Sequence, residues 1–229
     1  MLKMDYGKEF EKYWVNHLGK GSHNLHNYQS QIESSLTPYV LEERELRATQ
    51  IDIFSRLMRD RILWVAGGVD DRMSTIVQAQ LMFLDSTDKT DITMHIDSPG
   101  GSVKSGLSMV DVMEYISCDI RTVNTGMAAS MGSVLLGAGT KGKRSSLRFS
   151  RTMLHQSSGG AGGNIQDARI SFIEWEKINK TLFDLLGSYC GKTSEQVMED
   201  ASRDLWLDAE EALSYGIIDE IVKTKKKGV

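Results

Sequence analysis

Cysteine is nearly absent. Only Cys118 and Cys190 occur among 229 residues, far apart and without the paired spacing of a metal site. Neither a disulfide framework nor a zinc centre is suggested, and a reducing, cytoplasmic setting is the simplest reading. Long apolar runs are missing as well. No segment reaches the roughly 18 apolar residues of a membrane span. The N-terminal stretch MLKMDYGKEFEKYW mixes acids and bases without the apolar centre of a signal peptide. A soluble chain with no membrane partner is expected. Positive charge is not in excess either: 27 Lys and Arg face 31 Asp and Glu, a formal charge of -4, which argues against a nucleic-acid partner. The one basic run, Lys225-Lys226-Lys227, reads as a solvated tail.

What remains is ordinary globular material, 40% hydrophobic and 25% charged, enough for one domain with a substantial core. Residues 1 to 50 are polar and weakly periodic, and they hold His17, His23 and His26, three of the five histidines. This stretch reads as a flexible arm. Beyond it the pattern changes. RILWVAGGV is a short apolar run closed by glycines, and RMSTIVQAQLMFLD (72–85) has helical spacing. DITMHID (91–97) reads as a strand ending at Ser98-Pro99-Gly100-Gly101, followed by VKSGLSMVDVMEYI as a helix. DIRTVNTG is the next strand, and TGMAASMGS (125–133) opens the helix after it. Strand, turn and helix recur three times, which predicts an α/β domain with parallel strands and functional groups at their carboxyl ends.

TGMAASMGS carries one serine, Ser130, with Ala128 two before it and Gly132 two after. Small residues at those positions are what a sharp strand-to-helix turn needs if it is to present a serine hydroxyl, a looser form of the nucleophile elbow. SPGGS supplies adjacent glycines before a helix, where free backbone N–H groups would hold a substrate oxyanion. Acyl transfer needs both features on one wall. A serine also needs a base, and the base an orienting carboxylate. Outside the arm only His95 and His155 compete. His95 shares a strand face with Asp97, so a Ser130–His95–Asp97 site is compatible with the spacing. His155 ends the apolar stretch RTMLHQ and precedes the glycine-rich SSGGAGGN. Many aspartates follow residue 155, and spacing does not choose among them.

The motifs IDSPGGSV, GMAASMGS, GAGTKGKR, MLHQ and RDLWLDAEEALSYGIID, together with DIFSRLMRDRI, occur in an order that resembles the proteolytic subunit of the Clp protease, ClpP, from about Pro38 to Val222. The resemblance implies a single domain of the ClpP/crotonase fold built of repeated β-β-α units, with a protruding handle (about 156–186) of strand plus helix. It implies Ser130 as nucleophile, His155 as general base, Asp204 as orienting acid, and the N–H groups of Gly101 and Met131 as oxyanion donors, with no cofactor and no metal. The implied assembly is a homo-oligomer of two stacked seven-membered rings. It would be fed unfolded polypeptides by an AAA+ unfoldase of the ClpX, ClpA or ClpC kind, and would itself be an ATP-independent serine endopeptidase. Residues 1–34 would be a pro-segment cut near Ser34-Ser35, 35–50 an axial-entrance segment and 51–229 the peptidase domain. Two rival classes are an acyl-CoA enzyme of the crotonase type, which lacks a Ser-His-Asp triad, and a non-catalytic ring subunit.

The chain departs from that family's pattern at several places. Ser157 stands where a proline-containing turn is common, which predicts a more flexible entry to the handle. Ser202 stands before Arg203 where an acidic residue commonly supports the ring-to-ring contact. The unfoldase-docking pocket, usually rich in aromatics, maps to Thr93, His95, Tyr115 and Ser145, with Val222 beside them, so weaker docking is expected. In the handle, Ile170, Ile173, Ile178 and Leu182 fit an interface face and an internal core face equally well.

Overall fold

The computed structural model describes residues 39–44, 47–157 and 164–223. The expected pro-segment (1–34), the glycine-rich start of the expected handle (158–163) and the basic run at 225–227 lie outside the described residues. The chain divides between Arg56 and Leu57 into two units. The first contains an antiparallel hairpin of β1 (Tyr39–Arg44) and β2 (Arg47–Asp52), with Tyr39 opposite Asp52. β2 thus runs two residues past the expected boundary at 50. The Asp52 carboxylate accepts the Ser55 N–H at 3.0 Å as α1 (Ile53–Arg59) begins.

The second unit is built on a seven-stranded sheet. β3 (Ile62–Ala66), β4 (Ile92–Ser98), β5 (Ile120–Ala129), β6 (Arg144–Ser146) and β9 (Glu220–Ile221) lie side by side and parallel. β7 (Arg151–Leu154) joins the far end of β5 in parallel, and β8 (Leu205–Leu207) pairs antiparallel with β7. The three expected strand-turn-helix units are present: β3 leads to α2 (Asp71–Thr87), β4 to α3 (Val103–Tyr115) and β5 to α4 (Met131–Gly137). Asp70 and Ser102 cap α2 and α3 by accepting the N–H groups of Met73 and Ser105. Among the described residues no helix is long and apolar enough to cross a membrane, and no group of three His, Cys, Asp or Glu is placed to hold a metal ion.

Alternation decides which side of the sheet is core. In β4, Ile92, Met94, Ile96 and Ser98 are buried, whereas Thr93, His95 and Asp97 point to the other, more open face. The buried face packs with Val77, Leu81 and Leu84 of α2, Met109, Val110 and Met113 of α3, and Val134, Leu135 and Leu136 of α4. At the β6 end the core closes on a charge. The Arg144 side chain is 1% exposed and bonds to both Asp219 oxygens and to the carbonyls of Tyr189 and Gly216. Burial alone would raise the Asp219 pKa, but the guanidinium and the N–H groups of Arg144 and Gly142 outweigh it and hold the carboxyl at about 2.

The helix opens within TGMAASMGS as expected, at Met131, but the strand before it runs past its expected end at Gly126. β5 continues to Ala129 through a bulge of two extra residues: one residue of β4, Asp97, lies between the paired Ile96 and Ser98, whereas three of β5, Thr125, Gly126 and Met127, lie between their partners Asn124 and Ala128. The Asp97 and Asn124 side chains accept the N–H groups of Met127 and Gly126, so the interrupted ladder stays satisfied. A Cβ at Gly126 would sit 2.6 Å from Asp97 Oδ1 and would displace the carboxylate that holds the bulge.

The handle helix is α5 (Ile165–Cys190), capped by Asn164 and running four residues beyond the expected end. Its two ends differ. Leu182, Phe183, Leu186 and Gly187 are buried, whereas Ile170, Phe172 and Ile173 are exposed. The four apolar positions that fitted either role are thus divided, with Leu182 in the core, Ile178 half-buried, and Ile170 and Ile173 open. Two short helices follow, α6 (Ser194–Asp200) and α7 (Ala209–Tyr215), each opened by a capping box.

Candidate active site

Ser130 sits between β5 and α4 with φ 53° and ψ -122°, one of two described non-glycine residues at positive φ. Its N–H donates to Met153 O on β7, and its carbonyl accepts the N–H and hydroxyl of Ser133. The turn is therefore held from both sides. The small neighbours have the expected reason: a Cβ on Gly132 would lie 2.8 Å from Ser98 O, and Ala128 is wholly buried.

The SPGGS turn lies directly against this elbow. A Cβ on Gly100 would fall 2.7 Å from Ser130 Cβ and 2.9 Å from Met131 N, and one on Gly101 (φ 149°) 2.3 Å from Val69 O. Bonds from Val69 N–H to Gly100 O and from Ser102 N–H to Val69 O pin the turn to the end of β3. Among the described residues the N–H groups of Gly101 and Met131 have no hydrogen-bond acceptor. Met131 begins a helix, where free N–H groups are the rule.

Strand register supplies the other two groups. Ala129 of β5 lies beside Met153 of β7, and Leu154 of β7 is opposite Leu205 of β8. One step further along the antiparallel ladder brings His155 to Asp204. Their side chains meet at 3.5 Å, Nδ1 to Oδ1, with the histidine side chain 25% and the carboxylate 62% exposed. That is longer than a good hydrogen bond, as is common before substrate closes a site. His155 lines one cleft with Ser130, Met131, Ser157, Asn179 and Phe183, and a second with Gln156, Ser202, Arg203 and Asp204.

The competing histidine lies elsewhere. His95 stacks on Trp64 of β3, ring centroids 4.8 Å apart, and is not among the residues lining the Ser130 cleft. Its Nδ1 is buried without a hydrogen-bond partner among the described residues, and burial pushes its pKa down. Asp97 is engaged by the β5 bulge. The Ser130–His95–Asp97 arrangement is therefore not assembled.

Of the expected docking residues, Thr93, His95 and Ser145 share one face of the sheet, since His95 is beside Val123 and Val123 beside Ser145. Ser145 is itself buried, its hydroxyl donating to Thr122 O at 3.2 Å. Val222 follows β9 at the sheet edge, its N–H bonded to Ser146 O. Tyr115 ends α3 and is 78% exposed. Sequence reasoning missed Trp64, which stacks on His95 and adds an aromatic to that face. The alternation of ILWVA was the available signal. It also missed Asn179, for which no local signal exists. Ser157, at which a more flexible entry to the handle was expected, makes three hydrogen bonds to α5, and the stretch that leads from it to that helix lies outside the described residues.

Comparison with known proteins gives one answer. The family model described as Clp protease matches residues 44–225. The chain is 46% identical over 220 residues to a protein of Porphyromonas gingivalis named ATP-dependent Clp protease proteolytic subunit, covering 96% of this chain and 99% of that protein. It is 47% identical to a protein of the same name from Bacteroides fragilis, over 95% and 99%. A third, from Streptococcus gordonii, is 46% identical over 82% of this chain and 97% of its own length. With a family match over most of its length and a serine elbow at the carboxyl end of a parallel strand, the chain belongs to the Clp protease family.

Proposed function

We propose that the chain is the serine endopeptidase subunit of a compartmental protease and that Ser130, His155 and Asp204 are its catalytic triad. The observation that carries this reading is the strained Ser130 elbow sharing a cleft with His155, whose far nitrogen faces Asp204. In the first step Ser130 Oγ attacks the scissile carbonyl carbon and its proton passes to His155 Nε2. Asp204 orients the imidazole and stabilises its positive charge. The carbonyl oxygen, now an anion, takes the N–H groups of Gly101 and Met131. Collapse breaks the C–N bond, and His155 returns the proton to the leaving amine. A water, deprotonated by His155, then hydrolyses the acyl-serine. No metal or cofactor takes part.

The substrates in this reading are unfolded polypeptides delivered by an AAA+ unfoldase to a cytoplasmic homo-oligomer of two stacked seven-membered rings. The exposed Ile170, Phe172 and Ile173 of α5 suit a contact between rings. The open sheet face with Thr93, His95 and Trp64 suits the unfoldase. An acyl-CoA enzyme of the crotonase type has no use for a histidine-carboxylate pair beside Ser130, and a purely structural subunit has no use for the strain. Fluorophosphonate labelling with mass-spectrometric assignment tests the reading directly: the adduct is expected on Ser130, and a labelled residue elsewhere, or none, refutes it.

A further inference from the structure

β7 ends at Leu154, so His155 lies just past the last paired residue of its strand. Two residues on, Ser157 is fastened to the middle of α5. Its N–H and its hydroxyl both donate to Asn179 Oδ1, at 3.2 and 2.9 Å, and its oxygen accepts from Trp175 Nε1 at 2.8 Å. The directions follow from the groups themselves. A backbone N–H and an indole N–H only donate, so the amide must turn its oxygen toward Ser157, and the hydroxyl must pass its own proton on to that oxygen. Trp175 and Asn179 are four apart and so lie on one face of the helix. Phe172 packs against Trp175 in a T-shaped pair, centroids 6.3 Å apart, which orients the indole. Ser157 and Asn179 also line the cleft that holds Ser130 and His155.

We infer that Trp175, Ser157 and Asn179 form a clamp of positioning residues that sets where the His155 imidazole stands relative to Ser130. His155 is held by strand pairing on one side and by the clamp two residues away on the other. Release of the clamp removes the second of these two anchors. The clamp acts through His155 and does not touch the reacting atoms, so its loss affects turnover and leaves substrate binding nearly intact. The inference rests on the peptidase reading above.

The test uses the full-length protein and four variants: Ser157→Ala, Asn179→Leu and Trp175→Phe, which each remove one partner, and Ser157→Thr, which keeps the hydroxyl. Steady-state cleavage of a fluorogenic peptide and the rate of fluorophosphonate labelling of Ser130 are measured together, with thermal midpoints recorded. Displacing a catalytic group by about 1 Å costs up to about a hundredfold. Ser157→Ala and Asn179→Leu are therefore expected to lose about ten- to hundredfold in kcat and in labelling rate with KM within about twofold, and Ser157→Thr to recover most of the loss. Should Asn179→Leu fail to fold, Ser157→Ala and Trp175→Phe carry the same reading. Wild-type kcat and labelling in folded Ser157→Ala and Trp175→Phe overturns the clamp, as does a loss confined to KM. Wild-type protein that neither cleaves nor labels overturns the peptidase reading itself, a distinguishable failure.

Discussion

The strain at Ser130 makes a stability prediction that separates backbone from chemistry. With φ 53° and ψ -122°, a residue carrying a Cβ occupies a sparsely populated region, at a cost of about 1–3 kcal/mol. Ser130→Ala keeps the Cβ and hence the strain, losing only a hydroxyl. Ser130→Gly removes the strain, offset by the greater freedom of glycine in the unfolded chain, about 0.4–1 kcal/mol. A further fraction of a kcal/mol is lost with the half-buried Cβ, which touches the Gly100 turn. The glycine variant should therefore be the more stable of the two by about 1 kcal/mol, or about 2–4 °C in melting temperature for a chain of this size. Calorimetry at matched protein concentration is the assay, with oligomeric state compared by sedimentation because assembly adds stability of its own. Both variants should be inactive. A glycine variant that melts at or below the alanine variant, in the same oligomeric state, refutes the claim that the elbow stores strain.

Ser130→Ala and His155→Ala should each lower kcat for short fluorogenic peptides by several orders of magnitude, and Asp204→Asn severely; comparable cleavage by Ser130→Ala would sink the triad. Asp219→Ala leaves Arg144 charged and enclosed, which should cost about 3–5 kcal/mol in urea unfolding. The folded Asp219 pKa of about 2 lies below the ordinary 3.8, so the unfolded chain binds more protons between those values. The resulting stability is complete above pH ~4 and fades as pH falls toward ~2, a change of about 2 kcal/mol that Asp219→Asn should abolish. N-terminal sequencing of the wild type should find a terminus near Ser34-Ser35 that Ser130→Ala lacks, and identical full-length termini in both would remove self-processing. Titration with the cognate unfoldase should show weak stimulation that Thr93→Tyr and His95→Tyr strengthen, whereas tight stimulation of the unmodified homomer would mean that Trp64 already makes the face adequate.

Local pattern made much of this protein legible before any coordinates. The strand pattern of DITMHID, glycines at the strand ends and the helical spacing of 72–85 announced three parallel strand-turn-helix units, because period and turn chemistry are properties of neighbouring residues. Ser130 was legible for the same reason, its small neighbours at 128 and 132 being a local signature. The end of β5 was not, because the bulge at Thr125 and Gly126 is held in part by Asp97 on the next strand. Nor could spacing choose between His95 and His155 or find Asp204 among its neighbours. That choice belongs to the β5–β7–β8 pairing, in which one step beyond Leu154 and Leu205 sets His155 against Asp204. Long-range register has no local signal, since it follows from which strands the whole core brings side by side. The same holds for Ser157 and Asn179, which lie 22 residues apart in sequence and meet through a single shared oxygen, Asn179 Oδ1. Composition and local period thus indicated the kind of domain and the candidate serine, and the family resemblance named His155 and Asp204, while only tertiary pairing sets those two side chains against each other and brings Asn179 to Ser157.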